Sequence, residues 1–310
     1  MQLNTFKEYS MEWLHVKKLS IKQSTYQRYN DCLLQHIYPY FGSLAIHQID
    51  QEKIYCFFEL KSEELGASRL KIIKYLLKAV IQFAGSFTKT HTLHFEYIQF
   101  NRSAKNKRLN TVLNKADYVI LSNYIMKNVN SLSISLLFGL FGGLRIGEVC
   151  ALQWKDIDFN LECVYVNKTV IRIKNYNEID KKTMLTITAP KTETSNRCVP
   201  LPSFIMEIIK KYYSSDIDPN YYILTNKKIY KDPNTVHKSF KLLMRRLDLD
   251  KNYHFHNLRH TYGTNCVRHN VDINSLCEIM GHSSVSTTLS LYVHSSYEQK
   301  KEQINKITIS

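Results

Sequence analysis

The chain has 310 residues, 44% hydrophobic and 22% charged, which predicts folded globular structure with two domains and excludes an intrinsically disordered polymer. Its 42 Lys and Arg against 27 Asp and Glu leave a formal charge of +15, which favours a polyanionic partner, the bland alternative being a basic surface that only aids solubility or reflects biased composition. Seven scattered cysteines, odd in number and without a Cys-x-x-Cys pair, argue against a disulfide framework and a thiolate zinc site, leaving a reducing, cytoplasmic compartment as the default.

The opening MQLNTFKEYSMEWLHVKK holds no apolar stretch long enough for a signal peptide, and no run of about 18 apolar residues occurs in the chain, so no membrane span is expected. Residues 1–100 are expected to form a bundle of four or five short helices. Ser24 before TYQRYNDCLLQHIYPYF, with Gln27 three positions on, has the form of a capping box. Asp50 opens QEKIYCFFELKSEEL, which is expected to stop at Gly66. Ser68 opens RLKIIKYLLKAVIQFAG, where Leu70, Ile73, Leu77, Val80, Ile81 and Ala84 recur at helical spacing. Arg69, Lys71, Lys74 and Lys78 fall mostly off that stripe and are candidates for phosphate contact.

The stretch NRSAKNKRLN at 101–110 is polar and basic without apolar periodicity, and is expected to be a linker whose Lys105, Lys107 and Arg108 also contact DNA. A second domain, 111–310, then begins. In SLSISLLFGLFGGLRIGEVCALQW, Gly142 and Gly143 break two segments of helical periodicity. Next, ECVYVNKTVIRI, TMLTITA and SNRCVPL are short and rich in Val, Ile and Thr, predicting a small antiparallel sheet. From Pro202 onward helical patterns return in FIMEIIKKYY, TVHKSFKLLMRRL, NLRHTYGTNCVRH and INSLCEIMG. The fold class is therefore mainly α with a small antiparallel β-sheet, α+β.

Four stretches of this second half concentrate Arg, Lys, His and Tyr with few carboxylates: GGLRIGEVCAL, APKTETSNR, HFHNLRHTYGTN and MGHSSVSTTLSLYVH. Such a set suits attack on a phosphodiester. The non-bridging oxygens gather negative charge in the transition state, and a guanidinium meets them with a planar fork that keeps its proton at working pH, which makes Arg145 and Arg259 candidates. Lys191, between two predicted strands, is a candidate general acid for the leaving oxygen. His256 and Arg259 stand three apart and share a helix face if that segment is helical. His282 is placed to orient or deprotonate a nucleophile, assigned to Tyr292 ten residues later. A tyrosyl ester would conserve the energy of the broken bond, so rejoining needs no ATP; no Walker-type loop is present.

Taken singly these residues are weak signals. The chain has 21 tyrosines, and an arbitrary tyrosine is a packing residue. Arg145 and Glu148 have the spacing of an i,i+3 ion pair, which gives Glu148 a supporting role. His256 and His260 have zinc spacing, but Asn257 stands where a zinc-protease helix needs glutamate, so no metal and no cofactor are expected.

Together, the order Arg, Lys, His-x-x-Arg, His, Tyr resembles that of the tyrosine recombinases, the phage integrase family, over about residues 108 to 300. GLRIGEVCALQWKDID resembles the family's first arginine box, PKTETSNRCVPL its lysine hairpin, HNLRHTYGT its His-x-x-Arg box and GHSSVSTTLSLYVH its final box. The wording around His282, Tyr292 and His294 is closest to integrases of conjugative transposons and related integrative elements. No additional arm-type DNA-binding segment is expected ahead of residues 1–100, and a shorter, Xer-like layout is the expectation.

The resemblance implies DNA cleavage through a 3′-phosphotyrosyl intermediate without metal or ATP, on double-stranded core sites. It also implies a C-shaped clamp, a homotetramer on two sites formed from chains that are monomers when free, strand exchange through a Holliday junction, and an accessory DNA-bending or directionality factor. The tail SSYEQKKEQINKITIS matches in position the segment that docks on a neighbouring subunit. Competing readings are a type IB topoisomerase-like enzyme, an idle DNA-binding protein on the same fold, and a zinc hydrolase.

Overall fold

In the computed structural model, which describes residues 5–88, 92–100, 112–175, 183–188, 196–282, 284–286 and 288, the chain begins with a capped helix. Thr5 accepts from the backbone N–H of Glu8 at 3.3 Å and the Glu8 carboxylate accepts from Thr5 N at 2.9 Å, closing a capping box at the start of α1, Phe6–Lys18. Ser24 plays no such part. Helix α2, Gln23–Cys32, starts one residue before it behind Lys22, whose side chain makes no cap bond, so the expected cap at Ser24 is corrected. Gln27 is used elsewhere: its side-chain amide accepts from Lys174 N at 3.1 Å and donates to Lys174 O at 3.2 Å.

The helical run continues through a π-helical turn, Leu33–Ile37, into α3, Tyr38–Phe41. Pro39 in that next turn has no N–H to give the carbonyl four residues back, and the helix widens ahead of it. Asp50 caps α4, Gln51–Glu64, as expected, accepting from Lys53 N at 2.8 Å. Gly66 does not end α4 in a left-handed turn; its backbone is extended and it stands at the cap of α5, Ala67–Gly85, with Ser68 already inside the helix. The two helices are separated by Leu65 and Gly66 alone, so one glycine serves as the entry to the second rather than the stop of the first.

Helix α5 buries the predicted stripe and Leu76. Trp13, Tyr29 and Tyr75 form an aromatic cluster with ring centroids 5.6 to 6.3 Å apart, tying α1 and α2 to α5. By compactness the chain divides into two units: Met1–Arg108 with Ile173–Thr183, and Leu109–Arg172 with Met184–Ser310. The expected linker, 101–110, lies outside the described residues.

The second unit is built around α7, Ser131–Phe141, apolar on every side and buried from Ser133 to Leu140. Asn130 caps it by accepting from Leu132 N and Ser133 N, both at 3.0 Å. Around it lie α6, Lys115–Lys127, α8, Ile146–Ala151, α9, Ser203–Tyr212, α10, Pro233–Arg246, and α11, Phe255–Arg268, with α12, Ile273–Met280, packed on α11.

Two small sheets accompany these helices where one was expected. β1, Ile157–Asp158, β2, Cys163–Val166, and β5, Arg197–Pro200, form an antiparallel sheet in the order β1-β2-β5, while β3, Thr169–Lys174, pairs with β4, Thr183–Thr188, in a second. The register Val164↔Val199 and Val166↔Arg197 turns the valines into the core, and by strand alternation turns Arg197 inward with them. The architecture is mainly helical with small antiparallel sheets, as the residue patterns predict.

Candidate active site

Arg145 reaches its position through a turn that only glycine makes easily. After α7, Gly143 has φ +65°, and a Cβ on it would lie 2.5 Å from Cδ1 of the Tyr262 ring. The chain doubles back, Leu144 N donates to Phe138 O at 3.1 Å, and Arg145 becomes the cap residue of α8. Gly143→Ala is therefore expected to cost at least about 2 kcal/mol, from the left-handed backbone and the ring clash together. Urea unfolding measures this, and a cost below about 0.5 kcal/mol would show that the turn relaxes freely.

Glu148 takes the third helical position of α8 and reaches back to Arg145, accepting from its backbone N at 2.8 Å and from Nη1 at 2.7 Å. It also accepts a forked pair of bonds from Arg197, Nη2 to Oε2 at 2.8 Å and Nη1 to Oε1 at 3.2 Å. Burial alone would push the Glu148 carboxyl up. The hydrogen bonds and charge of Arg197, then the charge and backbone N–H of Arg145, outweigh burial and hold the carboxyl down at about 2.

Arg259 projects from the buried side of α11 and is 1% exposed. Its guanidinium donates to Gly143 O and to Met280 O, joining the turn before Arg145 to the end of α12. Helix α12 ends at Gly281, φ +60°, and His282 follows at once. The His282 ring pairs through Nδ1 with the Thr288 hydroxyl at 2.8 Å. Burial first, then the charges of Arg259, Arg145 and Arg197, lower the imidazole to about 4, so it is neutral at neutral pH.

Of the residues expected to carry chemistry, the fold therefore brings Arg145, Glu148, Arg259 and His282 to one end of α12. His256 is exposed one turn before Arg259, its ring packed edge-on against His260 with centroids 4.6 Å apart. His260 is in turn one of the charges acting on His282. Lys191 and Tyr292 lie outside the described residues, as do Lys105, Lys107 and Arg108. On α5, Lys71 and Lys78 are exposed and share a face with Lys74, while Arg69 is exposed on the opposite flank of the apolar stripe. Lys74 donates to Ile98 O at 2.7 Å, so part of its hydrogen-bonding capacity serves the fold.

Arg197 was not among the residues singled out from the sequence. Its signal was present: in the strand Arg197-Cys198-Val199-Pro200, alternation puts Arg197 on the same inward face as Val199, and an inward arginine requires a carboxylate partner. Two guanidiniums, Arg145 and Arg197, hold one carboxylate here and a third, Arg259, reaches the same end of α12, leaving an excess of positive charge around an arginine, Arg145, whose side chain is 39% exposed. Such an arrangement is suited to meeting the non-bridging oxygens of a phosphate.

Comparisons with known proteins bear on the family and the fold. Residues 102–299 match the model of the phage integrase family, and residues 5–58 match the N-terminal SAM-like domain of phage integrases. A tyrosine recombinase XerC-like protein of Caldanaerobacter subterraneus subsp. tengcongensis is 29% identical over 187 residues, covering 56% of this chain and 47% of its own length. This chain thus spans about half of that relative, and 53% of a tyrosine recombinase of Thermosipho africanus that is 32% identical over 175 residues. The integrase of Staphylococcus phage L54a is 22% identical over 331 residues, covering 98% of this chain and 92% of that one. Among solved structures, the Tn1549 transposon integrase in complex with a circular intermediate DNA matches with a TM-score of 0.78 at 19% identity, over 98% of this chain and 100% of the other. This last likeness is one of fold.

Proposed function

The chain belongs to the phage integrase family, and from that membership we propose that it is a site-specific DNA recombinase, cutting and rejoining duplex DNA through a 3′-phosphotyrosyl intermediate on Tyr292. The observation that carries this reading is the convergence of Arg145, Arg259 and His282 on the carboxyl end of α12. Two guanidiniums neutralise the non-bridging oxygens of the scissile phosphate. Each such donor is worth roughly 10²–10³ in rate by analogy with oxyanion-hole donors.

The Tyr292 Oη attacks phosphorus and the P–O5′ bond breaks. The phenolic proton passes to a base, the role assigned to His282. Lys191 gives the departing 5′ oxygen its proton, and His256 adds a donor beside the phosphate from its place on α11. Rejoining reverses these steps, with the 5′ hydroxyl of the exchanged strand as nucleophile, so the ester energy is retained and neither ATP nor a metal is called on.

The substrate is a double-stranded core site. Arg69, Lys71, Lys74 and Lys78 from α5, with Lys105, Lys107 and Arg108, supply phosphate contacts that position the duplex without reading its sequence. Recombination of two sites takes four subunits, monomers when free, assembled as a homotetramer, with an accessory DNA-bending or directionality factor. Work on DNA of this kind is cytoplasmic. Among the described residues, no helix is long and apolar enough to cross a membrane.

The test is formation of a covalent adduct on a nicked duplex chosen from a random-sequence pool by its binding to the protein. The adduct is expected to form fully in EDTA and without nucleotide. A divalent-metal requirement in the cleavage step would overturn the mechanism. Efficient relaxation of plasmids that lack any selected sequence would favour a topoisomerase instead.

A further inference from the structure

An α-helix leaves its last carbonyls without donors of its own, and a buried helix end must find them elsewhere. At the carboxyl end of α12 the accounting is complete. Gly281, in its left-handed conformation, donates its N–H to Glu278 O at 2.9 Å, and His282 N donates to Cys277 O at 3.1 Å. The three carbonyls that follow each receive a different arginine: Ile279 O takes Arg197 Nε at 2.6 Å, Met280 O takes Arg259 Nη2, and Gly281 O takes Arg145 Nη2 at 3.3 Å. Three cations from three separate elements, β5, α11 and the cap of α8, are thus docked in consecutive order on the negative end of one helix dipole.

Two of these arginines belong to the phosphate site described above; the third does not. The Arg197 side chain is 5% exposed, against 39% for Arg145; Arg259 is buried as well, at 1%, and what marks Arg197 is that its guanidinium is forked onto the Glu148 carboxylate. Its donors are directed at protein groups: Nε at Ile279 O, and Nη1 and Nη2 at the two oxygens of Glu148. Glu148 in turn holds both the backbone N and the Nη1 of Arg145. A Cβ placed on Gly281 would sit 3.1 Å from Arg197 Nη1, so the end of α12 and the guanidinium are in close contact.

Resting on the recombinase reading, we infer that Arg197 is a positioning residue for that reaction: by clamping Glu148 to the carboxyl end of α12, it holds Arg145 in register with Arg259 and His282 without itself touching DNA. Lysine cannot replace it. A single ammonium reaches either the Glu148 carboxylate or the Ile279 carbonyl, whereas the fork spans both. Partners of this indirect kind typically change activity by about 10–100-fold when lost.

The test uses the full chain and the nicked duplex selected by binding. Arg197→Lys is expected to slow adduct formation about 10–100-fold while leaving non-covalent affinity for the same duplex unchanged. A second substrate separates positioning from general weakening. With a neutral methylphosphonate at the scissile position, the oxygen that needs a guanidinium carries no charge. If Arg197 acts by placing Arg145, the defect of Arg197→Lys should largely vanish on that substrate, and adding Arg197→Lys to Arg145→Lys should bring no further loss on the ordinary one.

An equal defect on both substrates, independent multiplication of the two losses, or an undiminished rate in Arg197→Lys would each overturn the inference. Should Arg197→Lys fail to melt cooperatively, Arg197→Gln, which keeps two N–H donors and removes the charge, undergoes the same comparison. Absence of any adduct with the unaltered chain would instead defeat the recombinase reading itself, so the two failures are distinguishable.

Discussion

Replacing Tyr292 with phenylalanine is expected to abolish the covalent protein–DNA adduct on the nicked duplex and leave DNA binding as it was. The substitution removes one oxygen and keeps the ring, so packing at the position changes little. The nucleophile, however, is gone. A substitute nucleophile would have to reach near-attack geometry, about 3–3.5 Å from phosphorus. Denaturing gel electrophoresis of protein mixed with end-labelled duplex measures both species. An adduct that persists in Tyr292→Phe would move the nucleophile, with Tyr297 as the next residue to replace.

Glu148→Gln is expected to be the most damaging substitution to stability among the site residues. It keeps the side-chain shape but leaves the buried Arg197 guanidinium without its counter-charge, and breaking a buried pair from one side costs about 3–5 kcal/mol. The acidity of the carboxyl leads to a similar figure. It stands near 4.5 when unpaired and at about 2 in the fold, and that difference corresponds to about 3 kcal/mol of stability.

Because the folded value is the lower one, the unfolded chain binds the proton first as pH falls. The contribution is therefore fully present above about pH 4.5 and is lost progressively between about 4.5 and 2. The stability gap between the unaltered chain and Glu148→Gln, followed by urea unfolding from pH 7 to pH 3, should narrow through the lower part of that range. A gap that stays constant would mean that the ion pair contributes nothing of its own. Catalysis should fall as well, since Arg145 loses the carboxylate that holds it.

Much of the helical architecture was legible from residues because helix signals are local. Asp50 as a cap, the stripe along α5 and the glycine break before Arg145 all depend on neighbours within a turn or two. Where local signals competed, the reading failed. Ser24 satisfies a capping pattern, yet the helix starts ahead of it, and Gln27, its supposed partner, binds the backbone of Lys174 instead. Gly66 carries the signature of a helix end and stands at a helix beginning, because α4 has already ended at Glu64 and a second helix starts directly after the glycine. Neither outcome is contained in a window of ten residues.

For the candidate site the division is of another kind. The sequence by itself determined the residue types, their order and the pairing of Arg145 with Glu148 one helical turn apart, since i,i+3 spacing brings side chains together. Only the tertiary structure decided that Arg197, 49 residues beyond Glu148, completes that carboxylate's second pair of bonds, and that three arginines meet consecutive carbonyls of α12. The physical reason is that orphan carbonyls and buried charges must be matched wherever the fold brings them together. Local sequence specifies which groups will need partners, and long-range packing selects the partners they find.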